Sequence, residues 1–367
     1  MSKTMAAPAM VDSTEHLTAE WFTAALRTGE VIDTVTSVSK ARAEVFGTGQ
    51  FGLVVRAELD YRPTAHDAPR SLIVKLPSSD SGSRQLGTAM GAYEAEVRFY
   101  QKILPRVAVS APRLYWGDID PATGRFTLLI EDLSADWRVG DVVHGGTFEQ
   151  ARAGVAELVN LHAPFWGDQR LAAYGWLADP GRTQFLFDQM PAALAPFRER
   201  FGPRISSEHL RLVEQLLPQA PEYPVRAWTR PHSLMHGDYR LDNLLFQDTG
   251  TGLRAAVLDW QAVRLGPPLI DLCMFLGSCF TSVTRREHQD ELLHQYHDGL
   301  LSAGITDFSF AQCLGALRAG SLYPFLLLAG ASVMIEQTER GDAMFAAMIE
   351  SSADLVQDLD AATVLGE

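Results

Sequence analysis

The sequence predicts a bilobed α+β fold, with a small β-rich N-terminal lobe and a larger, mainly helical C-terminal lobe. Three observations predict it. Residues 42–80 alternate apolar and polar side chains with period two, the mark of half-buried strands. After Asp132 the apolar residues fall mostly at helical spacing, interrupted by one hairpin pattern near 244–258. The chain has 367 residues, 47% of them hydrophobic and 21% charged, enough for two ordinary domains with real cores and too hydrophobic for bulk disorder. The expected division is a flexible tail over 1–16, an N-lobe over 17–132 and a C-lobe over 133–367.

Taken in order, Thr18 is a helix cap, followed by a helix that buries Trp21, Phe22 and Leu26. In Phe51–Asp60, Phe51, Leu53, Val55, Ala57 and Leu59 share one strand face. Tyr61–Arg70, with two prolines, is a turn, and Ser71–Leu76 a second strand. Met90–Leu104 is a helix that Pro105 stops. Arg113–Trp116 and Arg125–Ile130 are strands around the turn Asp120–Gly124. Thr147 and Gln150 have capping-box spacing, and Val155, Leu158, Val159 and His162 then follow helical periodicity. Leu244–Phe246 and Ala255–Leu258 flank the turn Asp248–Gly252, a hairpin. Residues 180–225, rich in Pro, Phe and Arg, give no clear pattern, and helices resume from Pro268.

The formal net charge of −14 argues against nucleic acid or an anionic membrane as a partner. Cys273, Cys279 and Cys313 have neither disulfide-framework nor zinc spacing, which fits a reducing, cytoplasmic setting. No signal-peptide pattern opens the sequence, and the most apolar stretch, Pro324–Ile335, is too short for a membrane span.

The run His236-Gly237-Asp238 is followed by Asn243 five residues after the Asp and by Asp259-Trp260 sixteen residues later. A carboxylate, a carboxamide and a second carboxylate thus bracket one hairpin, whose ends return to the same place. Phosphoryl transfer needs this set: Asp238 to orient or deprotonate the attacking hydroxyl, Asn243 and Asp259 to hold Mg²⁺ on the phosphates. An isolated Asp or Asn is ordinarily a turn residue. Three at this spacing, behind a β-rich lobe, point to a phosphotransfer site.

HGD-x4-N resembles the catalytic loop of aminoglycoside phosphotransferases and choline kinases, relatives of the protein kinases. Leu258-Asp259-Trp260-Gln261 resembles their second metal motif. Three stretches, Leu258–Leu276, Ile130–Leu133 and Leu161–Trp166, look most like the ecdysteroid-kinase-like (CHK kinase-like) branch, and the resemblance covers nearly the whole chain. It implies a protein-kinase-like fold and an ATP- and Mg²⁺-dependent transfer to a hydroxyl of a small molecule. Gly47, Gly49 and Gly52 would let backbone approach the phosphates. Lys75, in the apolar strand Leu72–Pro77, would neutralise them. Glu131–Leu133 would present its backbone to the adenine.

Lys75 needs a helix carboxylate. Glu94 pairs at i+4 with Arg98, the usual exposed arrangement. Glu96 shares a face with Tyr93, Tyr100 and Ile103, and an inward carboxylate needs a cation. Glu96 is therefore the expected partner. His236 is expected to brace the catalytic loop, not to act as the base. Asp271 is either a helix cap or a support beneath that loop. His294 and His297, with Glu291 and Asp298, lie on an ordinary solvated helical face. The family resemblance puts the acceptor against Phe275–Phe280 and Leu322–Ile335, where Phe275, Phe280, Tyr323, Phe325 and Met334 either line a pocket for an apolar hydroxylated compound or simply fill the core of the lobe. The alternatives are an aminoglycoside- or choline-type kinase and, from another class, a non-catalytic nucleotide-binding pseudokinase.

Overall fold

The computed structural model describes residues 8–48, 52–178, 180–228, 230–334 and 337–366. The chain divides into two compact units. The first comprises residues up to Arg106, Ala111–Trp137 and Asp259–Ala262; the second comprises Val107–Ser110, Arg138–Leu258 and Val263 onward. The first unit thus runs a few residues past Asp132 and takes back the four-residue piece that contains Asp259.

The N-terminal unit is built on an antiparallel sheet of β1 (Ser37–Thr48), β2 (Gly52–Arg62), β3 (Ser71–Pro77), β4 (Leu114–Asp120) and β5 (Arg125–Glu131), in the order β1-β2-β3-β5-β4. Along β2, Val55, Ala57 and Leu59 are buried while Glu58 and Asp60 are exposed, as the alternation requires. Helix α1 (Ala19–Thr28) starts where the Thr18 hydroxyl accepts the Trp21 N–H, and its Trp21, Phe22 and Leu26 join Val55, Leu72, Val74, Trp116 and Leu129 in one core.

The tail is not loose where it is described. Val11 is buried and makes two backbone bonds with the Thr127 hydroxyl, both 2.8 Å, and Trp21 Nε1 donates to Ala9 O. A buried side chain with its backbone paired has no reason to fray.

Helix α2 (Ser81–Ala89), not expected from the sequence, is capped by Asp80. The expected helix at 90–104 begins only after Gly91, whose φ of 66° breaks the chain, and runs as α3 (Ala92–Arg98). It then widens into a π-turn at Phe99–Ile103, and Pro105 lies in the closing 3₁₀ turn Leu104–Arg106.

The C-terminal unit opens with the short strand β6 (Arg138–Val139) and α4 (Phe148–His162), whose Thr147–Gln150 capping box is formed. The poorly patterned stretch folds as α5 (Pro180–Gln189), α6 (Leu194–Phe201), α7 (Ser207–Leu216) and α8 (Tyr223–Arg226). Then come β7 (Ser233–Met235), the hairpin β8 (Leu244–Asp248) and β9 (Leu253–Val257), and β10 (Arg264–Gly266), which pairs with β7. Helices α9 (Leu269–Cys279), α10 (Ser282–Ser302), α11 (Phe310–Ala331), α12 (Glu339–Asp358) and α13 (Thr363–Gly366) complete the unit. Every residue of α9 is buried, so apart from Asp271 and Ser278 it is apolar all round and not amphipathic. Helix α11 has the length and composition of a membrane span, 22 residues, yet 72% of its apolar window is buried inside the protein.

Candidate active site

In the C-terminal unit, β7 delivers the His236-Gly237-Asp238 turn. Gly237 has φ 83°, a left-handed conformation that glycine adopts without strain. Asp271, fully buried on α9, accepts the His236 N–H through Oδ2 at 2.6 Å and the Gly237 N–H through Oδ1 at 2.8 Å. It is therefore the support beneath the loop; the cap position of α9 is Pro268. His162 Nε2 lies 3.2 Å from Asp271 Oδ2, and its Nδ1 lies 2.8 Å from Tyr296 Oη. This buried chain from α10 through α4 to α9 fixes the carboxylate that fixes the loop.

His236 braces the loop as expected. Its Nε2 lies 2.8 Å from Leu258 O and its Nδ1 accepts the Asp238 N–H at 3.3 Å, an arrangement that puts the ring proton on Nε2. Tyr239, buried, donates its hydroxyl to Gly154 O on α4. Asn243 closes a 3₁₀ turn, Leu241–Asn243, and its Nδ2 donates to Asp238 O at 2.9 Å and Asp238 Oδ2 at 3.0 Å. Arg240 Nε donates to the same Oδ2 at 3.2 Å.

The N-terminal unit contains the second cluster. Lys75, on β3, places Nζ 2.5 Å from Glu96 Oε1 and 3.7 Å from Asp259 Oδ1. Glu96 is fully buried on α3, and its other oxygen accepts from Gln261 Nε2 at 3.5 Å. Glu94 faces Arg98 instead, at 3.8 Å. Asp259 has φ 63°, uncommon for a residue with a side chain. Trp260 stacks on Phe99 with ring centroids 3.6 Å apart and planes within 9°, which anchors this segment on the π-turn.

Electrostatically, burial pulls the Lys75 ammonium down, but the charges of Glu96 and Asp259 more than offset it and hold the pKa above its ordinary value. Burial pushes the Glu96 carboxyl up; Lys75 opposes this and Asp259 adds to it. Two carboxylates face one ammonium, and Asp259 Oδ1 is buried without a hydrogen-bond partner among the described residues.

The other expected site residues lie as follows. Gly47 is in β1 with open space where a side chain would begin, whereas a Cβ at Gly52 would come within 2.8 Å of Leu76 O, so close strand packing alone accounts for Gly52. Gly49, with Gln50 and Phe51, lies outside the described residues. Glu131 ends β5; its N–H is taken by Arg113 O and its carboxylate by Arg113 N. Leu133 starts a turn, its carbonyl accepting from Asp136 and Trp137. Between them, Asp132 accepts from Arg56, Ser71 and Ser134, a web that ties the end of β5 to β2 and β3.

Of the two readings of the aromatic stretches, core filling is the one found for the four aromatics, and the acceptor wall is corrected. Phe275, Phe280, Tyr323 and Phe325 are 5% exposed or less and fill the core of the C-terminal unit; Met334 is exposed, and Ile335 lies outside the described residues. An apolar run at helical spacing looks the same whether it lines a pocket or a core. His297 Nε2 is bonded to Phe308 O and His294 Nδ1 to Asp290 O, and among the described residues no three His, Cys, Asp or Glu side chains are grouped to hold a metal. The three cysteines are free and buried.

Sequence reasoning assigned no role to Arg240, His162, Gln261 or the Asp132 web, although Arg240 lies inside HGD-x4-N, His162 inside Leu161–Trp166, Asp132 inside Ile130–Leu133 and Gln261 inside the Asp-Trp-Gln run.

A five-stranded antiparallel sheet with a glutamate-bearing helix, followed by a mainly helical unit with an HGD loop, is the protein-kinase-like fold. Residues 64–311 match the phosphotransferase enzyme family (APH), and the chain belongs to that family. Among solved structures, an ethanolamine kinase of Plasmodium vivax shares the fold at TM-score 0.50 and 10% identity, over 91% of this chain and 85% of that one. The GDP complex of wild-type aminoglycoside 2'-phosphotransferase-IIIa aligns at TM-score 0.49 and 13% identity, over 89% and 93%. A choline kinase from Streptococcus pneumoniae aligns at 0.45 and 14%, over 86% and 94%. No curated protein matches the sequence.

Proposed function

We propose that the protein transfers the γ-phosphoryl group of ATP, with Mg²⁺, to a hydroxyl of a small molecule. The observation that carries this reading is the Lys75–Glu96–Asp259 group. Its two carboxylates leave a net negative charge beside a buried ammonium, and Asp259 Oδ1 has no hydrogen-bond partner among the described residues. Such a charge asks for a further cation, and an all-oxygen donor set suits a hard one such as Mg²⁺.

In this reading Asp238 orients or deprotonates the acceptor hydroxyl, and the Asp271 support keeps it in place. Asn243 and Asp259 would hold Mg²⁺, which when bound neutralises phosphate charge during transfer. Lys75 binds the phosphates, and Glu96 holds Lys75 against its strand. Gly47, Gly49 and Gly52 let backbone approach the phosphates, and Gly52 also keeps β2 close to β3. The Glu131–Leu133 backbone would face the adenine, though not through the Glu131 N–H, which is committed to Arg113 O.

The acceptor is proposed as a hydroxylated apolar compound, on the resemblance of Leu258–Leu276 to the ecdysteroid-kinase-like branch alone. The runner-up is an aminoglycoside- or choline-type acceptor. A pseudokinase is disfavoured because Lys75, Glu96, Asp238, Asn243 and Asp259 are all present.

The test is a nucleotide-consumption screen of the purified protein with MgATP against choline, aminoglycosides, macrolides, nucleosides and hydroxylated steroids. A product heavier by one phosphoryl group supports the reading. Tight nucleotide binding with no phosphorylated product from any class would favour the pseudokinase.

A further inference from the structure

Asp238 has two carboxylate oxygens, and they are treated unequally. Oδ2 accepts from Asn243 Nδ2 at 3.0 Å and from Arg240 Nε at 3.2 Å. Arg240 is itself held from several directions. Its Nη1 lies 3.2 Å from Met344 Sδ on α12 and 3.6 Å from Asp242 Oδ2, and its side chain is only 23% exposed. Asp242 is in turn fixed, its Oδ1 accepting the Val142 N–H at 2.8 Å. A guanidinium pinned in this way presents Nε in one direction, which a flexible ammonium cannot imitate.

We propose that Arg240 is a positioning residue that, together with Asn243, occupies Oδ2 of Asp238 and so leaves Oδ1 to meet the acceptor hydroxyl. The inference rests on the phosphotransfer reading. Arg240 lies between two carboxylates, Asp238 and Asp242, so its charge offsets part of theirs, and its fixed Nε–H sets the direction of the Asp238 carboxylate. A lysine at this position keeps the charge but has no donor at the Nε position, and it fails to replace the arginine. A carboxylate free to turn spends less time in the productive orientation, and small misplacements of a reacting group cost orders of magnitude in rate.

The test uses Arg240→Lys and Arg240→Gln in the full chain, with two readouts. In crystals of both variants the Asp238 carboxylate is expected to turn away from its wild-type orientation or to split between two. With MgATP and the alcohol returned by the screen, kcat is expected to fall roughly 10–100-fold in both, with little change in the KM for nucleotide. An unmoved Asp238 carboxylate in both variants, or wild-type kcat in Arg240→Lys, overturns the proposal. The crystal comparison needs no turnover, so it stands apart from the phosphotransfer reading, which fails if Asp238→Asn turns over like the wild type.

Discussion

Lys75 and Glu96 form a buried ion pair, Nζ to Oε1 at 2.5 Å, although Glu94 lies only two residues away on the same helix. Helical geometry decides between them. Glu96 is on the face with Tyr93 and Tyr100, whereas Glu94 reaches Arg98 at the partly exposed edge.

The pair predicts unequal mutants. Glu96→Gln is expected to lower kcat/KM roughly 10–100-fold, the scale of losing a positioning group, while Glu94→Gln stays near wild type. Steady-state kinetics on the two purified variants decide it. Equal losses would place the lysine's partner elsewhere.

Asp259 separates fold from function. Its φ of 63° strains a residue with a side chain by about 1 kcal/mol, a cost that glycine does not bear. Asp259→Gly is therefore expected to melt no lower than the wild type, yet to lose most of the Mg²⁺ dependence of ATP binding. Thermal melts and calorimetry with and without Mg²⁺ check both halves. An unchanged Mg²⁺ effect in the folded variant would make Asp259 structural.

Asp271 supports two amides at once. Asn at this position keeps one acceptor oxygen and turns an NH₂ toward the second amide, leaving buried donors unpaired at roughly 1–3 kcal/mol. Asp271→Asn is expected to lose stability by that amount in denaturant melts and to lose turnover with it. Unchanged stability would mean the loop holds its shape without the support.

Asp342, buried on α12, is bonded to Arg200 at 2.7 Å and faces Arg204 at 3.2 Å. Burial raises its carboxyl, but Arg200, Gln337 and Arg204 outweigh it and hold the pKa below the ordinary value. A carboxyl lowered on folding contributes stability that is present above the unfolded pKa of about 3.9 and lost as pH falls through the folded one. The stability gap between wild type and Asp342→Asn should therefore be wide near neutrality and narrow below about pH 4. A gap constant across that range would contradict the assignment.

Much of this was legible in the sequence because it depends on local periodicity. The β2 alternation, the Thr18 cap, the Thr147–Gln150 box and the inward turn of Glu96 each follow from one or two helical turns or one strand. The misses depend on distance along the chain. Asp271 could be a cap or a support until the His236 and Gly237 amides were seen on its oxygens, 35 and 34 residues away. Asp132 gathers Ser71 and Arg56 from 61 and 76 residues back. The aromatic wall failed for a different reason: Phe275 and Phe325 have the spacing of a buried helix, and no pattern distinguishes a lined pocket from a filled core.

The central claim is that Asp238 serves the acceptor and not the nucleotide. Asp238→Asn tests it most directly, by measuring ATP affinity by calorimetry and turnover with the alcohol identified by the screen on one preparation. The account predicts that affinity stays within a few-fold while turnover falls at least ~100-fold, the scale of general-base contributions. Near wild-type turnover in the folded variant would contradict it.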